Sequence, residues 1–128
     1  MSSYGITKET GYSFEDAVQK TKESLTSQGF GVLTEIDVKQ KMKEKIDKDM
    51  DQYLILGACH PRSAYEAIKA EQEIGLLLPC NVIVYEKNGV VSVSSIKPSV
   101  GMAMVENGAL KTIALEIEQK LLKVIDAI

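Results

Sequence analysis

The residues best suited to chemistry in this chain are Cys59, His60 and Cys80. Two thiols and an imidazole, with a carboxylate or water as a fourth ligand, could hold a zinc-like metal ion. The same thiols could carry redox chemistry. Cys59 closes one apolar run, within Gly57-Ala58-Cys59-His60-Pro61, and Cys80 opens the next, within Leu77-Leu78-Pro79-Cys80-Asn81. If these runs are antiparallel strands, the end of one and the start of the other share a sheet edge, and all three side chains gather there. If they are parallel, the cysteines lie at opposite ends. Packing competes with both chemistries, because free Cys is among the most buried residue types and behaves as a small apolar filler. No C-x-x-C occurs, so neither a zinc knuckle nor a thioredoxin-type pair is indicated. His60 is the only His in the chain. It could act as a base or a ligand, but a strand-end His before Pro commonly caps a helix or faces solvent, and no partner acid stands near it in sequence.

Other polar groups point to less. No phosphate loop, nucleophile elbow, H-E-x-x-H or calcium loop is present. Glu71, Glu73, Glu116 and Glu118 suit solvated helix faces. Ser92, Ser94 and Ser95 read as the polar exterior of a strand. Met102 and Met104 could line a ligand pocket or a partner groove, or simply fill core. Without a catalytic signature, the reading leans away from an enzyme.

The elements that must position these residues are legible in outline. Ser3 to Thr10 reads as a strand. Ser13 caps a helix by accepting from the N–H of Asp16, and Gly29 closes that helix in a left-handed conformation. Phe30 to Ile36 reads as a strand. Asp37 caps a polar helix whose apolar residues, Val38, Met42, Ile46 and Met50, lie four apart. Tyr53 to Cys59 is apolar throughout, which predicts a central strand buried on both faces. Pro61 suits the first turn of a helix that runs to near Gly75. Asn81 to Lys87 and Val90 to Ile96 flank Asn88-Gly89, the strongest short hairpin signal, since both turn residues need positive φ. That turn sets Glu86 against Val91, Val84 against Val93 and Val82 against Ser95 on one face, with Ile83 and Tyr85 on the other. A short apolar segment follows Pro98. A last helix from about Ala109 to Ala127 carries a wide apolar stripe.

Gly29-Phe30-Gly31-Val32-Leu33-Thr34-Glu35-Ile36-Asp37, Leu56-Gly57-Ala58-Cys59-His60-Pro61 and Leu77-Leu78-Pro79-Cys80-Asn81-Val82-Ile83-Val84-Tyr85-Glu86 together resemble the family catalogued as domain of unknown function 302. The resemblance spans most of the chain. It implies a TATA-binding-protein-like α+β fold, a curved antiparallel sheet backed by helices, in small and often dimeric bacterial or archaeal proteins. It implies no agreed activity. The chain departs from the family pattern at His60, where the family usually carries Asn, and this counts against a family-wide His base or ligand. Fold likeness alone does not carry function.

Composition narrows the partners. The chain has 128 residues, 45% hydrophobic and 26% charged, with a net charge of −3. That length suits a single domain, 1–128, that needs no disulfide or metal to fold. The acidic balance excludes an ordinary nucleic-acid binder. The lysines from Lys39 to Lys48 are answered by Asp37, Glu44, Asp47, Asp49 and Asp51. No apolar run reaches membrane-spanning length, and Met1 to Gly5 carries no signal-peptide pattern. A cytoplasmic protein with reduced thiols is expected.

The resulting expectation is an α+β fold: one largely antiparallel, five-stranded sheet with helices on one face. Its leading function is binding or self-association, as a homodimer through the open sheet face of Tyr53, Ile55, Ile83 and Tyr85. The alternative is a metal-binding or redox-thiol protein that uses Cys59, His60 and Cys80.

Overall fold

Asn88 and Gly89 take φ of 53° and 79°, so the Asn-Gly turn reverses the chain tightly in the way right-twisted strands require. It joins β4 (Cys80–Lys87) to β5 (Val90–Ile96) in the computed structural model, which describes residues 2–128. The register sets Glu86 opposite Val91, Val84 opposite Val93 and Val82 opposite Ser95, as the turn predicts. β1 (Gly5–Thr10) adds to the outer edge of β5, β3 (Tyr53–Cys59) pairs with β4, and β2 (Gly31–Asp37) pairs with β3. The sheet order is β1-β5-β4-β3-β2, antiparallel at every step.

Strand alternation sorts the side chains. Leu56, Ala58, Val82, Val84, Val91 and Val93 form one buried face. Two helices cover it: α1 (Phe14–Ser27) contributes Ala17 and Leu25, and α5 (Gly108–Asp126) contributes Ile117, Leu121, Val124 and Ile125. The helices are pinned to each other and to the sheet. Ser24 Oγ, buried, donates to the Val124 carbonyl at 2.6 Å. Lys8 Nζ on β1 donates to the Ile128 carbonyl at 2.8 Å, where a cation also meets the negative end of the α5 dipole.

Three helix starts are set locally by a side-chain cap. Ser13 Oγ accepts from the Asp16 N–H at 3.1 Å, and Asp37 Oδ1 accepts from the Gln40 N–H at 3.0 Å to begin α2 (Val38–Ile46). Asn107 Oδ1 accepts from the Leu110 N–H at 3.1 Å. These side-chain acceptors satisfy amides that the helices leave without partners.

Tertiary context revises four expectations. The α2 helix stops at Ile46 rather than Met50, because Asp47 turns left-handed (φ 53°) and Lys43 pairs with Asp47 and Asp49 beyond the helix end. The helix α3 (Pro61–Ala70) stops short of Gly75 because Asn107 Nδ2 donates to the Ala70 carbonyl at 2.8 Å. A 3₁₀ turn, Gln72–Leu77, takes up the remaining residues. β3 is buried on its Leu56–Ala58 stretch only, and Tyr53 and Ile55 remain half-buried, because the covering helices lie on one side of the sheet. Ser92 and Ser95 are not exterior: Ser95 lies opposite Val82 on the core face, and Ser92 lies opposite Tyr85. Among the described residues, no helix is long and apolar enough to cross a membrane.

Candidate functional site

The antiparallel pairing of β3 with β4 sets Ala58 opposite Cys80, so Cys59 ends its strand one residue beyond the start of the next. His60 follows directly and becomes the N-cap of α3, with Pro61 in the first turn, where a missing N–H costs nothing. The His60 side chain makes no cap hydrogen bond. Instead Ser63 Oγ and His60 Nδ1 are hydrogen-bonded at 3.0 Å. The Phe30 ring meets the imidazole edge-on, with centroids 5.4 Å apart and planes at 69°.

Gly29 completes the seat. Its φ is +84°, and a Cβ there would come within 3.2 Å of His60 Nε2. The position serves both as a helix terminus and as the wall behind the imidazole. Gly29→Ala is expected to destabilise the protein by about 1 kcal/mol and to shift the His60 ring, read as a lower thermal midpoint together with a moved imidazole resonance.

Cys59, His60 and Cys80 all line one cavity of about 300 Å³. Phe30 and Ala58 form its sheet side, Ala64 and Ala67 its α3 side, and Ile113, Ala114 and Ile117 its α5 side. Pro98, which begins the short helix α4 (Pro98–Gly101), and Met102 close another flank. The physical origin of the space is residue size. Ala58, Ala64, Ala67 and Ala114 stop at Cβ, where sheet and helices would otherwise interdigitate. Leu33 and Ile68 also line the cavity and are exposed, so it reaches solvent past their side chains. The wall is almost wholly apolar, and its few polar atoms belong to His60, Ser63 and the thiols.

The electrostatics are those of a low-dielectric recess. Burial pushes the Cys80 thiol up to about 11, and the neighbouring Cys59 acts in the same direction. Burial also raises Cys59. The thiolate is the nucleophile and the metal-binding form, so both shifts oppose reactivity at neutral pH. Burial lowers the His60 pKa from 6.5, and the positive charges of Lys120 and Arg62 lower it further, so the site favours the neutral imidazole.

The Cys80 shift has a stability consequence. The unfolded thiol loses its proton near 9, and the folded one near 11. Between those values the native state binds more protons than the unfolded state, so stability falls as pH rises. The contribution is fully present below about pH 9 and lost through about pH 11, an order of 2–3 kcal/mol for a shift of this size. Urea unfolding across that range is expected to show this loss in the wild type and a flatter profile in Cys80→Ala.

The structure thus brings the three chemistry-bearing residues into one wall, as antiparallel pairing requires. Among the described residues, no group of three or more His, Cys, Asp or Glu side chains is placed to hold a metal ion. Both cysteines are free thiols. Met102 lines the cavity, whereas Met104 is 77% exposed and is not among the lining residues. Sequence reasoning missed Phe30, the helix alanines and the α5 isoleucines as lining residues. The available signal was the placing of Ala64, Ala67 and Ala114 on helix faces that otherwise carry larger apolar residues.

On the opposite side of the sheet, Tyr53 pairs with Tyr85 and Ile55 with Ile83. The two tyrosine rings are stacked, with centroids 5.9 Å apart and planes at 26°. All four side chains are half-buried. They form a contiguous patch at the centre of the face that α1 and α5 leave open.

A family model described as "Domain of unknown function DUF302" matches residues 6–128. The chain is also similar to a solved protein from Bacillus stearothermophilus, described as the crystal structure of an uncharacterized conserved protein DUF302. The two are 30% identical over 98% of each chain, with a TM-score of 0.92. No curated protein matches the chain.

Proposed function

The chain belongs to the DUF302 family, and from that premise we propose that it is a small binding module that takes an apolar molecule into the cavity between the sheet, α3 and α5. The observation that carries this reading is the cavity itself, about 300 Å³ with almost wholly apolar walls. Interiors pack to crystal-like density, and recesses of this size and character are the usual form of small-molecule sites. The raised thiols and the neutral imidazole suit a site that recognises its ligand and does not attack it.

Binding of the neutral fluorophore N-phenyl-1-naphthylamine tests the reading. Wild-type protein is expected to enhance its emission saturably. Ala64→Leu, which extends a half-buried side chain into the recess, is expected to weaken binding at least about tenfold, since that corresponds to roughly 1.4 kcal/mol. A folded wild type that leaves the fluorophore dark, or an Ala64→Leu variant that binds as well as wild type, would defeat the proposal.

A second reading, self-association as a homodimer, is favoured by the half-buried patch of Tyr53, Ile55, Ile83 and Tyr85 on the open sheet face. A two-fold interface would bring the same patch from each copy together. Sedimentation at micromolar concentration should find a dimer that Tyr85→Glu dissociates. A strict monomer in both proteins would rule it out.

A further inference from the structure

Among the described residues, no Asp, Glu, Lys or Arg side chain lines the cavity, and His60 and Ser63 supply the only side-chain nitrogen and oxygen atoms of its wall. Deepening the ligand-binding reading on which it rests, we infer that the ligand is an uncharged apolar molecule with a single hydroxyl, an alcohol or a phenol, whose body fills the recess and whose hydroxyl bonds to Ser63 Oγ. An apolar cavity of about 150 Å³ accepts a benzene-sized molecule, so one of about 300 Å³ matches a body of roughly two fused rings or a medium-length alkyl chain.

The lining excludes a charged ligand. Burying a carboxylate or an ammonium without a partner is costly, and no opposite charge lines the recess. Where it reaches solvent, the exposed Leu33 and Ile68 offer none either.

The same lining selects the polar group. One turn of α3 sets His60, at the N-cap, beside Ser63, three residues on. Ser63 Oγ and His60 Nδ1 are hydrogen-bonded at 3.0 Å, and among the described residues neither side chain has another hydrogen-bond partner. His60 Nε2 lies against Gly29, where a Cβ would come within 3.2 Å of it, and Gly29 is not a lining residue. Ser63 Oγ is therefore the atom left for a ligand. What it offers depends on the imidazole tautomer. If Ser63 donates to Nδ1, Oγ keeps only lone pairs. If Nδ1–H donates to Ser63, the hydroxyl hydrogen is free. A ligand hydroxyl is donor and acceptor at once, so it pairs with Ser63 in both cases. A carbonyl or an ether, which only accepts, pairs in one of them. A second polar group on the ligand would be buried unpaired against methyl and methylene groups.

Calorimetry on the full chain with 2-naphthol, its isostere 2-methylnaphthalene and the anion 2-naphthoate tests the assignment at neutral pH. Wild type is expected to bind 2-naphthol at least about tenfold more tightly than 2-naphthoate. In Ser63→Ala, 2-naphthol should lose about fivefold in affinity relative to 2-methylnaphthalene, the scale of one net hydrogen bond. Referring each loss to 2-methylnaphthalene removes the difference in hydration between the two probes. Ser63 makes no helix-cap bond, so the variant is expected to fold as wild type does. His60, the only His, supplies a second readout in the wild type. Its imidazole nitrogen-15 shifts should move when 2-naphthol binds, because a bond to Ser63 Oγ polarises the Oγ–Nδ1 bond, and should stay in place with 2-methylnaphthalene.

Binding of 2-naphthol and 2-methylnaphthalene with an affinity ratio that Ser63→Ala leaves unchanged, or with His60 shifts alike for the two probes, overturns the hydroxyl assignment and leaves the apolar-ligand reading standing. Naphthoate binding as tight as that of 2-naphthol overturns the uncharged class. Failure of both neutral probes to bind overturns the assignment and the cavity reading together.

Discussion

Leu121→Ala is expected to lower the free energy of unfolding by about 3 kcal/mol. Leu121 is 0% exposed and sits on the stripe of α5 that faces the sheet, within the same core as Val82, Val84 and Val93. Its loss removes apolar area from the core and leaves a hole that a sheet pinned on four ladders cannot fully close. The strands below cannot rise to meet α5, because each is held by its neighbours. The helix cannot sink freely either, since Ser24 and Lys8 hold its C-terminal carbonyls. The adjacent Leu122, 39% exposed, provides the control. Leu122→Ala should change stability by less than about 0.5 kcal/mol. Equilibrium urea unfolding of the two variants measures the contrast directly. Similar losses for both would mean that α5 does not face the sheet by the stripe described.

Gly57→Ala is expected to cost about 2 kcal/mol, for a steric reason. Gly57 lies in β3 opposite Thr34, immediately after the irregularity between Val32 and Thr34 in the β2 pairing. On its other side it pairs with Asn81. A Cβ on Gly57 would run into Thr34 Oγ1 and would also approach Pro79 Cγ to 2.9 Å. A threonine tip can turn aside, but the Pro79 ring is fixed by its own backbone. The strand must therefore shift, and it carries Ala58 and Cys59 of the cavity wall with it. The double variant Gly57→Ala, Thr34→Ala should recover part of the lost stability, since one of the two obstacles is gone. Thermal denaturation of the single and double variants checks this. A Gly57→Ala protein as stable as wild type would show that β3 has room the structure does not give it.

Both results bear on the cavity. The first concerns the helix that forms one wall, and the second the strand that forms another. A change that loosens either element should also weaken probe binding, although it touches no ligand.

Much of the framework was legible because it is encoded locally. Ser13, Asp37 and the Asn88-Gly89 turn act on amides and torsions within a few residues of themselves, so their effects do not depend on the rest of the chain. The hairpin register follows from a two-residue loop, and it correctly separates the Val82, Val84 and Val93 face from the Ile83 and Tyr85 face. The meeting of Cys59, His60 and Cys80 was legible only conditionally, because it depends on whether β3 and β4 run antiparallel, and no short-range signal states that.

The helix ends were less legible. α3 stops where Asn107, distant in sequence, reaches the Ala70 carbonyl, and nothing near Ala70 announces it. Ser92 reads as a surface residue but is buried opposite Tyr85, because a small polar side chain is covered by whichever large neighbour the register supplies.

By itself, then, the sequence determined the strands, the caps, the hairpin and its register, and the family resemblance, all properties of contiguous residues. Only the tertiary structure decided that a recess exists and what lines it. A cavity is a shortfall of volume between elements, and it arises because Ala58, Ala64, Ala67 and Ala114, scattered along the chain, face one another across the same space. No single segment records that shortfall.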